Sequence, residues 1–193
     1  TTSAQFLIMA VGCLSSTNLP NFPGRDTFGG ASYHTGTWPH EGVDFTGKRV
    51  AVIGTGSSAV QSIPIIAEQA AHLTVFQRTP TYAVPAHNRA LAETEVAEVK
   101  AHYRELRAAN RLTMTGFGSR NPRGETNASD ADAADLEAEF ERRWEAGGLS
   151  FLGGYADLLL NKESNDTAAE FIRRQIRAAV NDPEIAELLT PTN

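Results

Sequence analysis

The most constraining feature of this sequence is a glycine-rich turn at residues 54–59, which stands between an apolar segment and a helix-like segment. Residues 49–53 are β-branched and almost wholly apolar, as in a buried strand. From Ser57 to about residue 71 the apolar residues recur at helical spacing, and residues 73–77 have the pattern of another strand. A strand, a helix and a strand in this order predict the parallel crossover unit of an α/β fold.

The turn has the G-x-G-x-x-[G/A] pattern of a dinucleotide-binding site. Gly54 permits a tight turn, Gly56 lets the backbone approach a pyrophosphate, and Ala59 is small enough for close helix–strand packing. The N-terminus of the following helix offers unpaired N–H groups to an anion, and Ser57 and Ser58 add hydroxyl donors. The alternative interpretation is a glycine turn that binds no ligand.

The end of the following strand predicts which cofactor binds. An NAD site typically has Asp or Glu there to bind the ribose 2′-hydroxyl, whereas this sequence has Gln77, Arg78 and Thr79. Arg78 can hold the 2′-phosphate of NADPH through bidentate hydrogen bonds, and Thr79 can add another. A surface arginine without a ligand is the alternative. The predicted cofactor-binding residues are Gly54, Thr55, Gly56, Ser57, Ser58, Ala59, Gln61, Arg78 and Thr79.

Composition excludes several classes of protein. Of the 193 residues, 41% are hydrophobic and 21% are charged, an ordinary globular balance, and the net charge of -6 disfavours nucleic-acid binding. The single cysteine, Cys13, permits no internal disulfide, which indicates a reducing compartment, and its expected place is as a small buried hydrophobe. No apolar run is long enough to cross a membrane, and the histidines lack metal-ligand spacing. We therefore expect a cytoplasmic protein with no membrane or nucleic-acid partner and no metal.

Outside the crossover unit the sequence predicts one further strand, a long connection and several helices. Residues 3–11 have the pattern of a buried strand. Residues 12–47 are rich in Gly, Pro and Ser but also in aromatic residues, which favours an ordered connector packed on other parts of the protein. Residues 114–130 have the composition of a flexible polar loop. Helices are predicted at 91–110, at 132–146, at 166–180 with Asn165 or Asp166 as N-cap, and from Pro183 onward.

The long connection carries a second motif. Residues 28–39 (FGGASYHTGTWP) match the pattern F-x-G-x-x-x-H-x-x-x-W-[P/D] just upstream of the nucleotide turn. Through this motif the chain resembles the type I Baeyer–Villiger monooxygenases, and the similarity covers nearly its whole length. Further segments similar to the family are 12–15, 75–80, 83–85 and 144–148. Two positions depart from the family pattern: Val11 stands where a Thr is usual, and Ala59 replaces the commoner third glycine of the turn.

The resemblance implies an α/β fold made of a Rossmann-like NADPH-binding domain with a parallel sheet, an all-helical insertion, and a strand and linker remnant of an FAD-binding domain. The implied boundaries are 1–14 for the end of the FAD-binding domain, 15–47 for the interdomain linker, 48–90 for the NADPH-binding unit and 91–193 for the helical insertion. The family's FAD-binding G-x-G-x-x-G has no counterpart in this sequence, and its flavin-side arginine normally follows the insertion. We therefore expect the central fragment of a longer enzyme.

The resemblance also implies a function. Members of the family use NADPH, FAD and O2 to insert one oxygen atom next to a ketone carbonyl, which gives an ester or a lactone. His34 and Trp38 would then be conformational residues of the linker, and this fragment would hold no catalytic residue. It would need the missing N- and C-terminal parts of its own chain and would be inactive alone. Two alternatives stay open: a flavin-containing monooxygenase that oxygenates N or S, and a non-catalytic NADPH-binding module.

Overall fold

The computed structural model describes residues 3–113, 116 and 123–192. Contacts within these ranges divide the chain into two compact units, of which the first ends at Arg78 and the second begins at Thr79. Much of the predicted polar loop at 114–130 lies outside the described residues. The C-terminal end of this loop is described, and it contains a short 3-10 helix at Ala128–Asp130.

The first unit contains a parallel pair of strands with a helix between them along the chain. β1 (Arg49–Ile53) and β2 (His72–Phe76) pair in parallel along their whole length. α1 (Ser57–Gln69) connects them. The predicted strand–helix–strand unit and the α/β class are thereby confirmed.

The C-terminus of α1 is tied to the segment before β1. The backbone carbonyl of Gln69 accepts a hydrogen bond from the N–H of Gly47 at 3.3 Å, and its side-chain oxygen accepts one from the N–H of Phe45, also at 3.3 Å. Ala70 is already extended, with φ -68° and ψ 140°. The helix therefore ends at Gln69, slightly earlier than its apolar pattern predicts, because its last residue also bonds the chain that leads into β1.

The predicted strand at residues 3–11 is wrong. The sheet formed by the described residues contains only β1 and β2, and the apolar side chains of this segment are exposed, with Phe6 at 79% and Ile8 at 88%. A strand needs a neighbour to bond its backbone N–H and C=O groups, and none pairs with this segment within the described ranges. Cys13 is also exposed, so the expectation that it is buried is wrong too.

The second unit is helical. Its α-helices within the described residues are α2 (Glu93–Ala101), α3 (Tyr103–Asn110), α4 (Ala133–Ala146), α5 (Lys162–Ala179) and α6 (Pro183–Leu189). The single helix predicted at 91–110 is divided, because His102 leaves helical geometry with φ -112° and ψ 23°. The helix predicted from Pro183 is confirmed, and an aspartate caps it.

α5 begins about one turn earlier than predicted, because its N-cap is Asn161 rather than Asn165 or Asp166. The side-chain oxygen of Asn161 accepts hydrogen bonds from the N–H groups of Glu163 at 2.9 Å and Ser164 at 3.5 Å. A side-chain acceptor at this position satisfies N–H groups that the helix itself cannot. The cap therefore sets where α5 starts, ahead of its apolar stripe.

Aromatic rings from three segments form the core of the second unit. The ring of Phe140 in α4 lies 5.5 Å from Phe151, 5.6 Å from Phe171 in α5 and 5.9 Å from Tyr155, measured between centroids. The three phenylalanines are at most 2% exposed, and full burial of one such side chain contributes roughly 1.5–3 kcal/mol. The hydroxyl of Tyr155 donates to the carbonyl of Asp135 at 3.2 Å, and burial, with nearby carboxylates, raises the pKa of Tyr155.

The segment that follows β2 belongs to the second unit by its contacts. Tyr82 and Val84 pack against the aromatic core, and the N–H of Gly148 donates to the carbonyl of Pro85 at 2.7 Å. The compact division consequently falls after Arg78, whereas the domain prediction places residues 79–90 with the nucleotide-binding unit. Which domains of a longer enzyme the two units represent stays a prediction.

Asp157 links the start of α5 to the 3-10 helix at Ala128–Asp130. Its carboxylate accepts hydrogen bonds from the N–H groups of Ala128 at 2.7 Å and Ser129 at 3.4 Å, and from the hydroxyl of Ser164 at 2.6 Å. Loss of surrounding water acts to raise the pKa of Asp157, but these hydrogen bonds outweigh it and lower the pKa below its ordinary value. The link is therefore made by the ionised side chain.

Gly147 and Gly148 provide a matched test of backbone strain against steric contact. Both have positive φ, at 72° and 69°, so an alanine is strained at either position. A Cβ on Gly147 would lie 2.7 Å from the carbonyl oxygen of Pro85 and 2.7 Å from the His87 ring, whereas one on Gly148 meets nothing within 4 Å. We expect Gly147→Ala to lower the free energy of unfolding by about 1–3 kcal/mol more than Gly148→Ala does. Denaturant unfolding of both variants measures the difference, and equal losses would contradict it.

Asp157→Asn should lower the thermal unfolding midpoint near pH 7, because the amide cannot replace an ionised acceptor of three hydrogen bonds. Since the pKa of folded Asp157 is lowered, its stabilisation is present above the ordinary carboxyl pKa and is lost as the pH falls through the lowered value. The gap between wild type and variant should therefore narrow between about pH 7 and about pH 3, in melts followed by circular dichroism. Asp166→Asn, which breaks an exposed ion pair with Lys162, is the control. A gap for Asp157→Asn that is constant with pH would contradict the assignment.

Candidate functional site

The glycine turn lies at the C-terminal end of β1. Gly54 has a φ of 101°, which residues with a side chain rarely adopt. Its N–H donates to the carbonyl of Phe76 at 2.8 Å, so the turn is bonded to the last residue of β2. Gly56 then caps α1 with an extended backbone, at φ -73° and ψ -178°. The turn therefore directs the chain from the sheet straight into the helix.

The N-terminus of α1 is open on the side of the turn. No side chain caps it, and a Cβ built on Gly54 or Gly56 would meet no atom within 4 Å. The N–H of Val60 bonds the carbonyl of Gly56 at 3.0 Å, and the N–H groups that precede it have no acceptor within the helix. Free donors, the positive end of the helix dipole and absent side chains together fit a pyrophosphate.

A shallow open cleft of about 380 Å³ adjoins the first turns of α1, and its lining comes from that helix and from the 28–39 motif. Two predicted residues, Ser58 and Gln61, line it from the helix, and Trp38 lines it from the motif. The Gln61 amide donates to the carbonyl of Ser57 at 2.9 Å, which holds its side chain along the helix. The structure therefore brings the first turns of α1 and Trp38, which was predicted as a conformational residue, to one place.

Two lining residues were missed by the sequence analysis, Thr35 and Ser62. Ser62 follows Ser58 by one helical turn and so shares its face, a spacing that could have identified it. Thr35 occupies a variable position of the 28–39 motif, where the pattern itself gives no signal. Of the remaining predicted residues, Thr55 and Ala59 are half-buried in the turn and the first turn of α1, and Ser57 is exposed.

Arg78 and Thr79 follow the end of β2. β2 ends at Phe76, Gln77 is half-buried, and both Arg78 and Thr79 are exposed. Their side chains are accessible at the end of the strand, where the ribose-recognition residue of a dinucleotide site stands. Their assignment to the 2′-phosphate stays a prediction.

His34 is the N-cap of a 3-10 helix at Thr35–Thr37. Its Nδ1 accepts a hydrogen bond from the N–H of Gly36 at 3.0 Å, so this nitrogen carries no proton. Gly36 permits the tight approach, since a Cβ there would lie 2.6 Å from the methyl group of Thr17. Directly after this turn comes Trp38, whose extended backbone ends it. The histidine therefore shapes the turn that presents the tryptophan.

Trp38 lies within a row of aromatic rings. Its ring centroid is 5.8 Å from that of Tyr33 and 6.1 Å from that of Phe45. Phe45 is buried, at 9% exposure, and its N–H bonds the side chain of Gln69 at the end of α1. Phe22 and Phe28 are exposed, so only part of the long connection packs as the composition predicts.

The described residues contain neither a candidate membrane span nor a candidate metal site. No helix among them is long and apolar enough to cross a membrane. They contain no group of three or more His, Cys, Asp or Glu side chains placed to hold a metal ion.

Comparison with known proteins gives relatives over nearly the whole chain, although no family model matches it. The chain is 42% identical over 196 residues to a Baeyer–Villiger monooxygenase of Pseudooceanicola batsensis, covering 99% of this chain and 35% of that protein. It is 39% identical over 193 residues to phenazine N-monooxygenase PhzNO1 of Lysobacter antibioticus, with 99% and 35% covered. The chain therefore spans about a third of the length of these relatives.

Solved structures show the same likeness in three dimensions. An oxidized steroid monooxygenase bound to NADP superposes with a TM-score of 0.88 at 48% identity, covering 95% of this chain and 35% of that one. A crystal structure of OTEMO in complex with FAD and NADP superposes with a TM-score of 0.90 at 40% identity and the same coverage. The resemblance inferred from the 28–39 motif and the nucleotide turn is thereby confirmed.

Two substitutions distinguish the capping hydrogen bond of His34 from the other contributions of its ring. His34→Asn keeps a side-chain acceptor suited to an N-cap, whereas His34→Ala removes it, which costs about 0.5–2 kcal/mol at helix caps. We expect the alanine variant to shift the fluorescence of Trp38, and the asparagine variant to keep it. The measurement uses a Trp144→Phe background, because Trp144 is the other tryptophan.

His40→Ala is the matched control for this test. His40 is exposed and lies beyond the capped turn, so its loss should leave the emission of Trp38 unchanged. Emission spectra that are identical for His34→Ala and His34→Asn would show that the cap does not position the tryptophan.

Proposed function

We propose that this chain, homologous over nearly its whole length to Baeyer–Villiger monooxygenases, is the NADPH-binding part of an NADPH- and FAD-dependent monooxygenase. The complete enzyme inserts one atom of O2 next to a ketone carbonyl and releases an ester or a lactone. The observation that carries the proposal is the open N-terminus of α1 behind a glycine turn, followed at the end of β2 by Arg78 in place of a carboxylate.

The chain's own groups divide the recognition of NADPH between backbone and side chains. The N–H groups at the start of α1, with Ser57 and Ser58, donate to the pyrophosphate. Arg78 pairs with the 2′-phosphate through charge-assisted hydrogen bonds, and Thr79 adds a neutral one. When bound, NADPH supplies the hydride and FAD the ring that activates O2. The protein binds and orients these groups and keeps water away from them.

FAD is held mainly outside this chain. The sequence contains one G-x-G-x-x-[G/A] turn. Arg78, which follows the strand after that turn, suits a 2′-phosphate, and FAD has no 2′-phosphate. The matched relatives are about three times as long as this chain, since it covers 35% of each. We therefore assign the flavin site to other parts of the enzyme, and the chain alone is inactive with ketones. Its proposed partners are those parts, the ketone and O2, and its proposed location is the cytoplasm.

N-oxygenation is a second candidate for the complete enzyme, because a relative at 39% identity is named a phenazine N-monooxygenase. The nucleotide turn and Arg78 serve both reactions, since each needs the same reduced cofactor. Product analysis of the complete enzyme with a cyclic ketone and with an aromatic N-heterocycle separates them. An ester or lactone from the ketone supports the first candidate, and an N-oxide without any ester supports the second.

Arg78→Ala should weaken NADPH binding and leave NADH binding almost unchanged, because only NADPH carries the 2′-phosphate. Losing one charged hydrogen-bonded contact costs about 1.5–3 kcal/mol, which corresponds to a roughly 10- to 150-fold higher Kd. Titration of the complete enzyme with each cofactor, followed by nicotinamide fluorescence, measures both affinities.

Arg49→Ala provides the control, because Arg49 is an exposed arginine at the opposite end of the sheet, where β1 begins. It should change neither affinity. If the wild type binds NADH as tightly as NADPH, or if Arg78→Ala weakens both equally, Arg78 does not recognise the 2′-phosphate.

A further inference from the structure

Trp38 forms one wall of the cleft at the start of α1. It lines this cleft together with Ser58, the second residue of α1, whose backbone N–H has no acceptor within the helix. The indole ring is 38% exposed, so a ligand in the cleft can contact it. The residues that fix this ring therefore fix one boundary of the space beside the proposed pyrophosphate contacts.

The ring of Phe45 packs against Trp38 and is itself buried. The two ring centroids are 6.1 Å apart with their planes at 45°, and Phe45 is 9% exposed. A turn between them, in which the N–H of Gly42 donates to the carbonyl of Pro39 at 3.0 Å, folds the chain so that the rings meet. Tyr33 also packs on Trp38 but is 46% exposed. Of these two aromatic neighbours, Phe45 is therefore the one that is held inside the protein.

The main chain of Phe45 is held by the opposite end of α1. Its N–H donates to the side-chain oxygen of Gln69, the last residue of the helix, at 3.3 Å. The N–H of Gly47 donates to the backbone carbonyl of Gln69, also at 3.3 Å, and the N–H of Lys48 donates to the carbonyl of Phe45 at 3.0 Å. Phe45 thus has a defined position relative to α1 before any ligand binds.

These contacts close a loop around α1, and all of them lie within the first unit. The helix has 13 residues and is about 20 Å long. Its last residue holds Phe45, Phe45 packs on Trp38, and Trp38 lines the cleft at the first turns of the same helix. The position of the indole relative to the start of α1 consequently depends on the Phe45 ring.

The chemistry of the cleft indicates which part of a cofactor this wall serves. Its lining residues are all uncharged, namely Thr35, Trp38, Ser58, Gln61 and Ser62. Uncharged groups have little ability to select a 2′-phosphate, but an aromatic wall excludes water from neighbouring N–H groups and so strengthens their hydrogen bonds to an anion. A wall of this kind acts on the pyrophosphate, which NADPH and NADH share.

We propose that Phe45 is a positioning residue for cofactor binding, which holds the Trp38 ring as a wall of the cleft and so sets the affinity for NADPH and NADH alike. This inference rests on the proposed NADPH site. Phe45 acts through Trp38, and Gln69 acts through Phe45. The preference between the two cofactors is left to Arg78.

The test measures binding of NADP⁺ and NAD⁺ to the complete flavoenzyme by isothermal titration calorimetry, since these oxidised forms cannot reduce the flavin. Phe45→Leu removes the ring and keeps an apolar side chain. We expect it to raise the Kd for both cofactors by the same factor, about 2- to 10-fold, the range for one aromatic pair. Gln69→Ala removes the side-chain acceptor and keeps the Phe45 ring, and it should raise both Kd values about 2-fold, the lower end for one hydrogen bond.

Phe22→Leu and Glu68→Ala are the matched controls. Phe22 is an exposed phenylalanine of the same long connection, and Glu68 is the exposed neighbour of Gln69 in α1. Neither substitution should change the Kd for either cofactor. If the controls raise the Kd values as much as Phe45→Leu and Gln69→Ala do, the effect is a general loosening of the unit and the proposal is overturned.

A double variant separates positioning from a purely structural role. Trp38→Leu should weaken binding of both cofactors, and Phe45→Leu should add nothing further in that background, because it acts through the indole. An additive effect overturns the proposal. So do unchanged Kd values for Phe45→Leu, or a changed ratio of the two Kd values. If Phe45→Leu yields no folded enzyme, Gln69→Ala decides by the same criteria.

Failure of this inference and failure of the NADPH site give different results. If the wild-type enzyme binds neither cofactor, or if Arg78→Ala leaves its preference intact, the proposed NADPH site is wrong and the positioning role falls with it. If Arg78→Ala abolishes the preference while Phe45→Leu leaves both affinities unchanged, only the positioning role is overturned.

Discussion

The candidate site depends on one backbone conformation, the positive φ of Gly54. With φ at 101° and its N–H bonded to Phe76, this residue turns the chain from β1 into α1 without a side chain in the way. A residue with a Cβ would be strained there and would intrude on the side that is open. Without this turn α1 would not begin directly behind the sheet edge, and its free N–H groups would not converge on one point. Anion binding at this place is therefore a consequence of chain geometry before any side chain is considered.

The second unit is held by a different kind of interaction. Its stability comes from rings packed around Phe140 and from buried or half-buried polar links such as Asp157 with Ser164. Close packing of this kind fixes the positions of the helices and tolerates little change in the size or shape of the side chains. It also captures the segment that begins at Thr79, through Tyr82 and Val84. Thus Tyr82 and Val84 have their positions set by helices far away in sequence.

The features that could be predicted from the sequence are those whose interacting residues lie close together along the chain. The strand–turn–helix–strand unit was predictable because periodicity, glycines and strand pattern all lie within one short segment. The motif at 28–39 was recognisable as a pattern, but the hydrogen bond by which His34 caps its own turn is a matter of geometry. The strand at 3–11 failed because an apolar run specifies a strand only when a neighbour pairs with it. The start of α5 was misplaced because two other capping residues, Asn165 and Asp166, follow Asn161 closely. Contacts such as the hydrogen bond between Arg173 and Tyr82 have no local signal at all.

Recognition of NADPH has two parts: binding of the pyrophosphate, which cannot distinguish NADPH from NADH, and binding of the 2′-phosphate, which can. The pyrophosphate is common to NADH and NADPH, so the cradle at Gly54 and Gly56 contributes affinity but no preference, however good its geometry. Preference has to come from charge at the end of β2, where Arg78 is exposed. An exposed charge is screened and mobile, and its contribution depends on how well its backbone is held before the ligand arrives. If the guanidinium were on a flexible loop, part of the binding free energy of its phosphate contact would be offset by the entropy cost of ordering the loop. Pro80 directly follows these contacts, and because it fixes its own φ and restricts Thr79 to extended conformations, it reduces that loss.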